Sequence, residues 1–336
     1  MYAVELREFG IAHLHMCERP APTPGPEQVL VRVRAASLNY RDLMMIQGRY
    51  NPKQPLPLVP LSDGAGEVVA VGSAVDRVRV GDRVVGLFSQ KWFGGEPTRE
   101  QLRATLGGPL DGSLQELWVL HQDGVAKFPE HMSFREAATL PCAALTAWTA
   151  LVDHGHVQPG ETVLLQGTGG VSVFALQIAK LAGARCIVTS SSPQKRERAE
   201  QLGAWQTVDY REDPNWHKTA LALTGGRGVD HVVEVGGAGT LAKSLLAVRG
   251  GGHVAVIGVL SGGAGELPVT AILMNALRIQ GVLVGHRQSF EAMCRAFEQA
   301  ELRPVVDQVF SWRDLGPALQ HMEQAQHFGK IVLDID

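Results

Sequence analysis

The stretch LLQGTGGVSVFALQ, residues 164–177, constrains this chain more than any other. An apolar run ends at Gln166, a glycine turn follows, and a helical pattern begins at once. Gly167, Gly169 and Ser172 stand at the three positions of a G-x-G-x-x-G turn. The first glycine permits a tight turn, and the second lets backbone N–H groups approach a pyrophosphate at the positive end of the helix. Gly170 and Val171 continue that surface. The third position normally carries glycine for close packing of helix on strand; Ser172 departs from it but is small. A glycine turn alone is weak evidence, since any tight strand-to-helix connection can use one.

The surrounding pattern strengthens it. TVLLQG leads to VFALQIAKLAG, CIVTSS to QKRERAEQLG, and HVVEVG to TLAKSLLAV, with HVAVIGVL after them. Apolar strands in alternation with helices predict an α/β fold, a doubly wound parallel sheet covered on both faces. The first 130 residues differ. EQVLVRVRAASL alternates apolar and polar residues, and GEVVAVGSAV and GDRVVGLF are short apolar runs between proline-rich turns. That predicts a β-rich, barrel-like antiparallel domain. SFREAATLPCAALTAWTALVDH has helical spacing, with Ser133 as N-cap and Glu136 three residues on. LRIQGVLVG, the amphipathic SFEAMCRAFEQAEL and a closing strand, KIVLDI, complete the pattern.

With 336 residues there is length for two domains. A net charge of −3 gives no electrostatic reason to expect nucleic acid or an anionic membrane as partner. Glu5, Arg7 and Glu8 interrupt the N-terminus where a leader would be apolar, and no run of about 18 apolar residues occurs. A cytoplasmic location is expected. Cys17, Cys142, Cys186 and Cys294 are far apart, so neither a zinc ribbon nor a disulfide framework is suggested. An NAD site would place Asp or Glu about 20 residues after the glycines. Here the strand ends in VTSSSPQKRER: Ser190, Ser191 and Ser192 offer hydroxyls, and Lys195 and Arg196 offer charge. Those groups would hold a 2′-phosphate, so NADP(H) is the expected cofactor. A helix cap followed by a solvated basic turn would also account for the arginines, but not for the missing acid.

ASLNYRDL, DGAGEVVAVG, VGDRV, LPCAALTAW, GTGGVS, TSSSPQK and the closing HFGKIVL together resemble the medium-chain dehydrogenase/reductase superfamily over essentially the full chain. The resemblance is closest to its zinc-independent branch of NADPH quinone oxidoreductases and zinc-free alcohol dehydrogenase-like proteins. It implies a GroES-like domain of residues 1–132 and 286–336, with a Rossmann domain of 133–285 between them and the nicotinamide in the cleft. Zinc-dependent relatives would carry Cys, His, Glu and Cys at Asn39, Ser62, Asp63 and Cys142. Only Cys142 matches, and a catalytic zinc needs three protein ligands. The loop at which relatives carry four structural-zinc cysteines has none. No metal is therefore expected. The resemblance assigns Lys195 to the 2′-phosphate, with Tyr210 at the same end and Thr146 near the nicotinamide. Val235, Ile257 and Gly258 would flank the ring, while Phe328, Gly329 and Lys330 would close over the cofactor. It also implies homodimers paired through LRIQGVLVG.

Without a Lewis acid the substrate must be electrophilic already or take a proton from the protein. Tyr50 matches a cleft tyrosine of quinone reductases and the proton donor of related 2-enoyl thioester reductases, although it could equally pack beside Pro52 and Pro55. Asn39 could donate to the nicotinamide amide or to a substrate oxygen, and Asp42 could pair with Arg41. The expected function is NADPH-dependent hydride transfer to a small electrophilic substrate, a quinone or α,β-unsaturated carbonyl. The alternatives are a zinc-free alcohol or aldehyde oxidoreductase and a non-catalytic NADPH-binding protein.

Overall fold

The computed structural model describes residues 1–335. It divides the chain into two compact units, Met1–Leu145 with Val284–Asp336, and Thr146–Leu283.

The first unit is built on a seven-stranded sheet. Its order is Val306–Ser311, Lys330–Asp334, Gln28–Ser37, Asp63–Val71, Arg83–Gly86 and Val125–Lys127, with Leu117–His121 also pairing to Gln28–Ser37. All pairs are antiparallel except Val306–Ser311 with Lys330–Asp334. The expected antiparallel domain is present, and the closing strand lies inside it. Val29, Val31 and Val33 point into the core while Arg32 and Arg34 point out, as a half-buried strand requires. The alternation stops at Ala35, Ala36 and Ser37, all buried, because the short helix Phe134–Ala137 packs across these strand ends. Ser133 and Glu136 cap that helix reciprocally, as the sequence predicts. Beyond it the expected continuous helix is not regular: residues Leu140–Ala144 and Thr149–His154 form wider π turns. Residues 133–145 thus belong with the first unit and not with the nucleotide-binding pattern.

The second unit is a six-stranded, wholly parallel sheet. Its order is Gln206–Val208, Arg185–Thr189, Thr162–Gln166, Val229–Glu234, Val248–Val256 and Arg278–Gly281. Every residue of Thr162–Gln166 and Val229–Glu234 is buried, as in the interior of a parallel sheet, although the second strand also carries Asp230 and His231. Strand order reverses between these two, the place where an open parallel sheet takes its ligand. Arg278–Gly281 is an edge strand with all four residues exposed.

Near the other ends of these strands lies a buried pair of rings. His231 Nε2 donates to Glu161 Oε2 at 2.8 Å, and His253 sits edge-on to it at 5.7 Å with neither ring nitrogen hydrogen-bonded. Burial, aided by His231, Arg278, His154 and His156, pushes His253 down to about 3. The unfolded chain, with a histidine near 6.5, takes up this proton first. Stability should therefore fall as pH drops from about 6.5 toward about 3, by up to about 1.4 kcal/mol per pH unit from this ring. Urea unfolding at stepped pH should show that slope in the native protein and a shallower one in His253→Met.

Candidate functional site

Three strand ends of the first unit meet at one polar cluster. Ser37 pairs with Asp63 on one side and Val332 on the other, so Asn39, Asp63 and Lys330 are brought together by register. The strand that carries Lys330 is fastened by Ile331, Val332 and Leu333, all fully buried, at about 1.5–3 kcal/mol each. Gly329, just before it, has φ +86°, and a Cβ there would lie 2.4 Å from the Val305 carbonyl oxygen; only glycine fits.

Lys330 is buried, and its Nζ donates to the Leu38 carbonyl and to Asn39 Oδ1, both at 2.6 Å. It also lies 3.7 Å from Asp63 Oδ2. Asn39 Nδ2 donates to that same oxygen at 2.8 Å and approaches Ser62 Oγ at 3.5 Å. Burial pushes the Asp63 carboxyl up to about 7, against the pull of the Lys330 ammonium and the Asn39 N–H. Its Oδ1 has no hydrogen-bond partner. Burial also pushes the Cys142 thiol up, with Asp63 adding to it. Asp42 holds the start of the helix Tyr40–Ile46, accepting from the Asn39 and Ser62 backbone N–H groups and lying 3.4 Å from Arg41.

A zinc ion needs convergent lone pairs and easily ionised ligands. Here Asn39 aims N–H groups at Asp63, its oxygen is taken by an ammonium, and Cys142 is the one thiol. The donor set does not fit zinc. Among the described residues no group of three or more His, Cys, Asp or Glu side chains is placed to hold a metal ion.

Tyr50 is exposed, after the helix Tyr40–Ile46, and its ring lies under the Arg41 guanidinium at 5.0 Å, with Phe88 at the same distance from that guanidinium. Arg41 is fixed there by the Leu106 and Gly108 carbonyls. Phe328 is buried.

In the second unit, Gly167 has φ +69°, the left-handed value its turn requires, and its N–H donates to the Thr189 carbonyl. Gly169 is the N-cap of the helix Gly170–Leu181, which also takes in Val171. Ser172 earns its place with a hydroxyl bond to the Gln166 carbonyl at 2.7 Å. Ser190 follows the second strand, and its N–H donates to Val208 beside it. Ser191 Oγ meets the Tyr210 hydroxyl at 3.1 Å, and Ser192 caps the helix Pro193–Leu202, whose first turn holds Lys195. Ser191 and Tyr210 are thereby joined across 19 residues of chain. Arg196 pairs with Asp209 and the Ser190 carbonyl. Asp209 is an acid the sequence reading overlooked, since it follows the third strand and not the second. Val235, Ile257 and Gly258 also adjoin: a Cβ on Gly258 would lie 2.4 Å from the Val235 carbonyl oxygen. Thr146 is buried at the start of this unit.

A glycine turn opening a helix on a doubly wound parallel sheet, together with a β-rich unit that includes the C-terminal strand, defines the class of nicotinamide-dependent dehydrogenases and reductases. Two family models match: an alcohol dehydrogenase GroES-like domain over residues 25–130 and a zinc-binding dehydrogenase over 170–299. A zinc-type alcohol dehydrogenase-like protein of Schizosaccharomyces pombe is 42% identical, covering 93% of this chain and 92% of its own. A quinone oxidoreductase of Pseudomonas aeruginosa is 35% identical over 87% and 82%. The crystal structure of an NAD-dependent alcohol dehydrogenase superposes with a TM-score of 0.91 at 38% identity, over all of both chains. The chain belongs to the medium-chain dehydrogenase/reductase superfamily and is an oxidoreductase of that family.

The buried cluster supplies its own check. Lys330→Met would strand Asp63 and two oxygens without their cation, at about 3–5 kcal/mol. Adding Asp63→Asn should return part of that loss, measured by urea unfolding of the single and double variants.

Proposed function

We propose that this oxidoreductase transfers hydride from NADPH to a quinone or an α,β-unsaturated carbonyl without zinc. The observation that carries the reading is the donor set of Asn39, Ser62, Asp63 and Cys142, tied up by Lys330 and unsuited to zinc. A saturated ketone accepting hydride concentrates negative charge on one oxygen, where a metal contributes several kcal/mol. Quinones and enones spread that charge through their π-systems and need less help. The proton then comes from Tyr50 or from water; Arg41 stacked on the Tyr50 ring restricts its orientation. The surface of Ser190, Ser191, Lys195 and Tyr210, with no acid ending the second strand, supports a cofactor 2′-phosphate. When bound, the nicotinamide supplies the hydride; Val235, Ile257 and Gly258 are the residues proposed to border it.

Alcohol or aldehyde oxidation is the second reading, favoured by the relatives named alcohol dehydrogenases, one of them NAD-dependent. One set of assays separates the two. Chelator-treated protein should reduce quinones or enones with NADPH far faster than it oxidises simple alcohols with NADP or NAD. Lys195→Ala should weaken NADPH by about 10- to 100-fold, the worth of a charge-assisted contact of about 1.5–3 kcal/mol, and leave NADH nearly unchanged. Tyr50→Phe should slow enone reduction by about 100-fold and quinone reduction less. Efficient alcohol oxidation by the metal-free protein would overturn the acceptor assignment.

We also propose a homodimer through the edge strand Arg278–Gly281. Its outer backbone groups lack a neighbouring strand, and Val269, Leu273, Met274, Ile279 and Leu283 expose apolar surface beside it. Sedimentation equilibrium should give twice the chain mass, and Ile279→Asp should shift it to one.

A further inference from the structure

The ends of three central strands of the second unit converge on one buried acidic residue. Glu234 is the last residue of Val229–Glu234 and is fully buried. Its Oε1 accepts from the Gly236 and Gly237 backbone N–H groups at 2.8 and 2.9 Å and from the Thr240 hydroxyl at 2.5 Å. Its Oε2 accepts from Gln166 Nε2 at 2.7 Å and from the Ser244 hydroxyl. The Glu234 carbonyl takes the N–H groups of Ile257 and Gly258. Gln166, directly before Gly167, completes the arrangement: its Oε1 accepts from the Val235 and Gly236 N–H groups, both at 3.2 Å, and its carbonyl takes the Ser172 hydroxyl. Ser261 then joins the turns after the fourth and fifth strands, donating to the Gly236 carbonyl and accepting from Gly239 N–H.

A buried charge with five donors is satisfied only as a complete set. The ladder hydrogen bonds already hold these strands together. What the side chains of Glu234 and Gln166 add is a fixed separation between the turn at 167–170 and the turn at 235–240. These are the strand ends flanking the reversal in strand order, where the sheet takes its ligand. We propose that Glu234 is a positioning residue for the cofactor: through Gln166 it sets the spacing of the two turns, so affinity depends on it whether or not a 2′-phosphate is present. The proposal rests on reading this unit as a nicotinamide-dinucleotide site.

The chemistry of the pair provides the test. In Glu234→Gln the new amide must turn N–H groups toward Gly236, Gly237 and Thr240 or toward Gln166 Nε2, so donors oppose donors in either orientation. Exchanging the two residues, Glu234→Gln with Gln166→Glu, lets the amide donate to the new carboxylate while its oxygen keeps the glycine N–H groups. Dissociation constants for NADPH and NADH are measured by cofactor fluorescence, with thermal unfolding of the free protein alongside. Glu234→Gln should weaken both cofactors by the same factor, about 10-fold or more, and the exchanged pair should recover most of it. Unchanged affinities in a folded Glu234→Gln would overturn the proposal, as would a loss confined to NADPH. So would an exchanged pair that regains wild-type melting without regaining affinity. If Glu234→Gln does not fold, Thr240→Val removes one donor from Oε1 and should weaken both cofactors several-fold; unchanged affinity there is equally fatal. Wild-type protein that binds neither dinucleotide would instead overturn the reading of the site on which the proposal stands.

Discussion

A buried ammonium must be surrounded by oxygens, and the first unit is arranged to provide them to Lys330. The Leu38 carbonyl, the Asn39 side chain and the Asp63 carboxylate come from the ends of adjacent strands, and only the observed register presents them together. A slip by one residue would turn Lys330 to the other face of the sheet and strand its charge. The cluster therefore ties strand register to the polar chemistry at the end of the sheet. Asp42 extends the same logic by anchoring the helix that follows Asn39 and the backbone at Ser62.

The second unit solves a similar problem with a different charge. Its two central strands end in one polar residue each, Gln166 and Glu234, which turn inward to each other and to the backbone of the next turns. In both units buried polar groups at strand ends, and not the apolar core, fix the conformation of the turns. This division is expected physically. Apolar packing tolerates small displacements, while a hydrogen bond to a buried charge is lost within a fraction of an ångström.

The two-unit architecture was legible because its signals are periodic and local. The strand–helix alternation and the glycine turn at 167–170 appear where the sequence places them, and Ser133 and Glu136 form their cap. Ser191 and Tyr210, 19 residues apart, meet through their hydroxyls. Less was legible where the partner is distant. Nothing near Lys330 announces that Asn39, 291 residues earlier, accepts its hydrogen bond. The strand Val306–Ser311 was missed because it is only partly buried, and VDQVFS shows no apolar run. The irregular turns at Leu140–Ala144 and Thr149–His154 share the apolar spacing of an ordinary helix, so periodicity cannot distinguish them. Glu234 did leave a signal, a lone acid closing the apolar run HVVE, but its five partners are visible only in three dimensions.

The position of Lys330–Asp334 inside its sheet has a consequence for how the polypeptide is made. Its neighbour Gln28–Ser37 is synthesised early, and their paired residues, from Val332 with Ser37 to Asp334 with Ala35, lie 295 to 299 positions apart. Until the late strand arrives, the Ala35–Ser37 end of Gln28–Ser37 has one bare edge, the rest being covered by Leu117–His121, and Asp63 lacks its cation. The parallel unit is contiguous in sequence and can complete itself while the first waits. The domain that emerges first thus closes last, and the interval in which its unpaired strand is open to other chains lasts as long as translation of everything between.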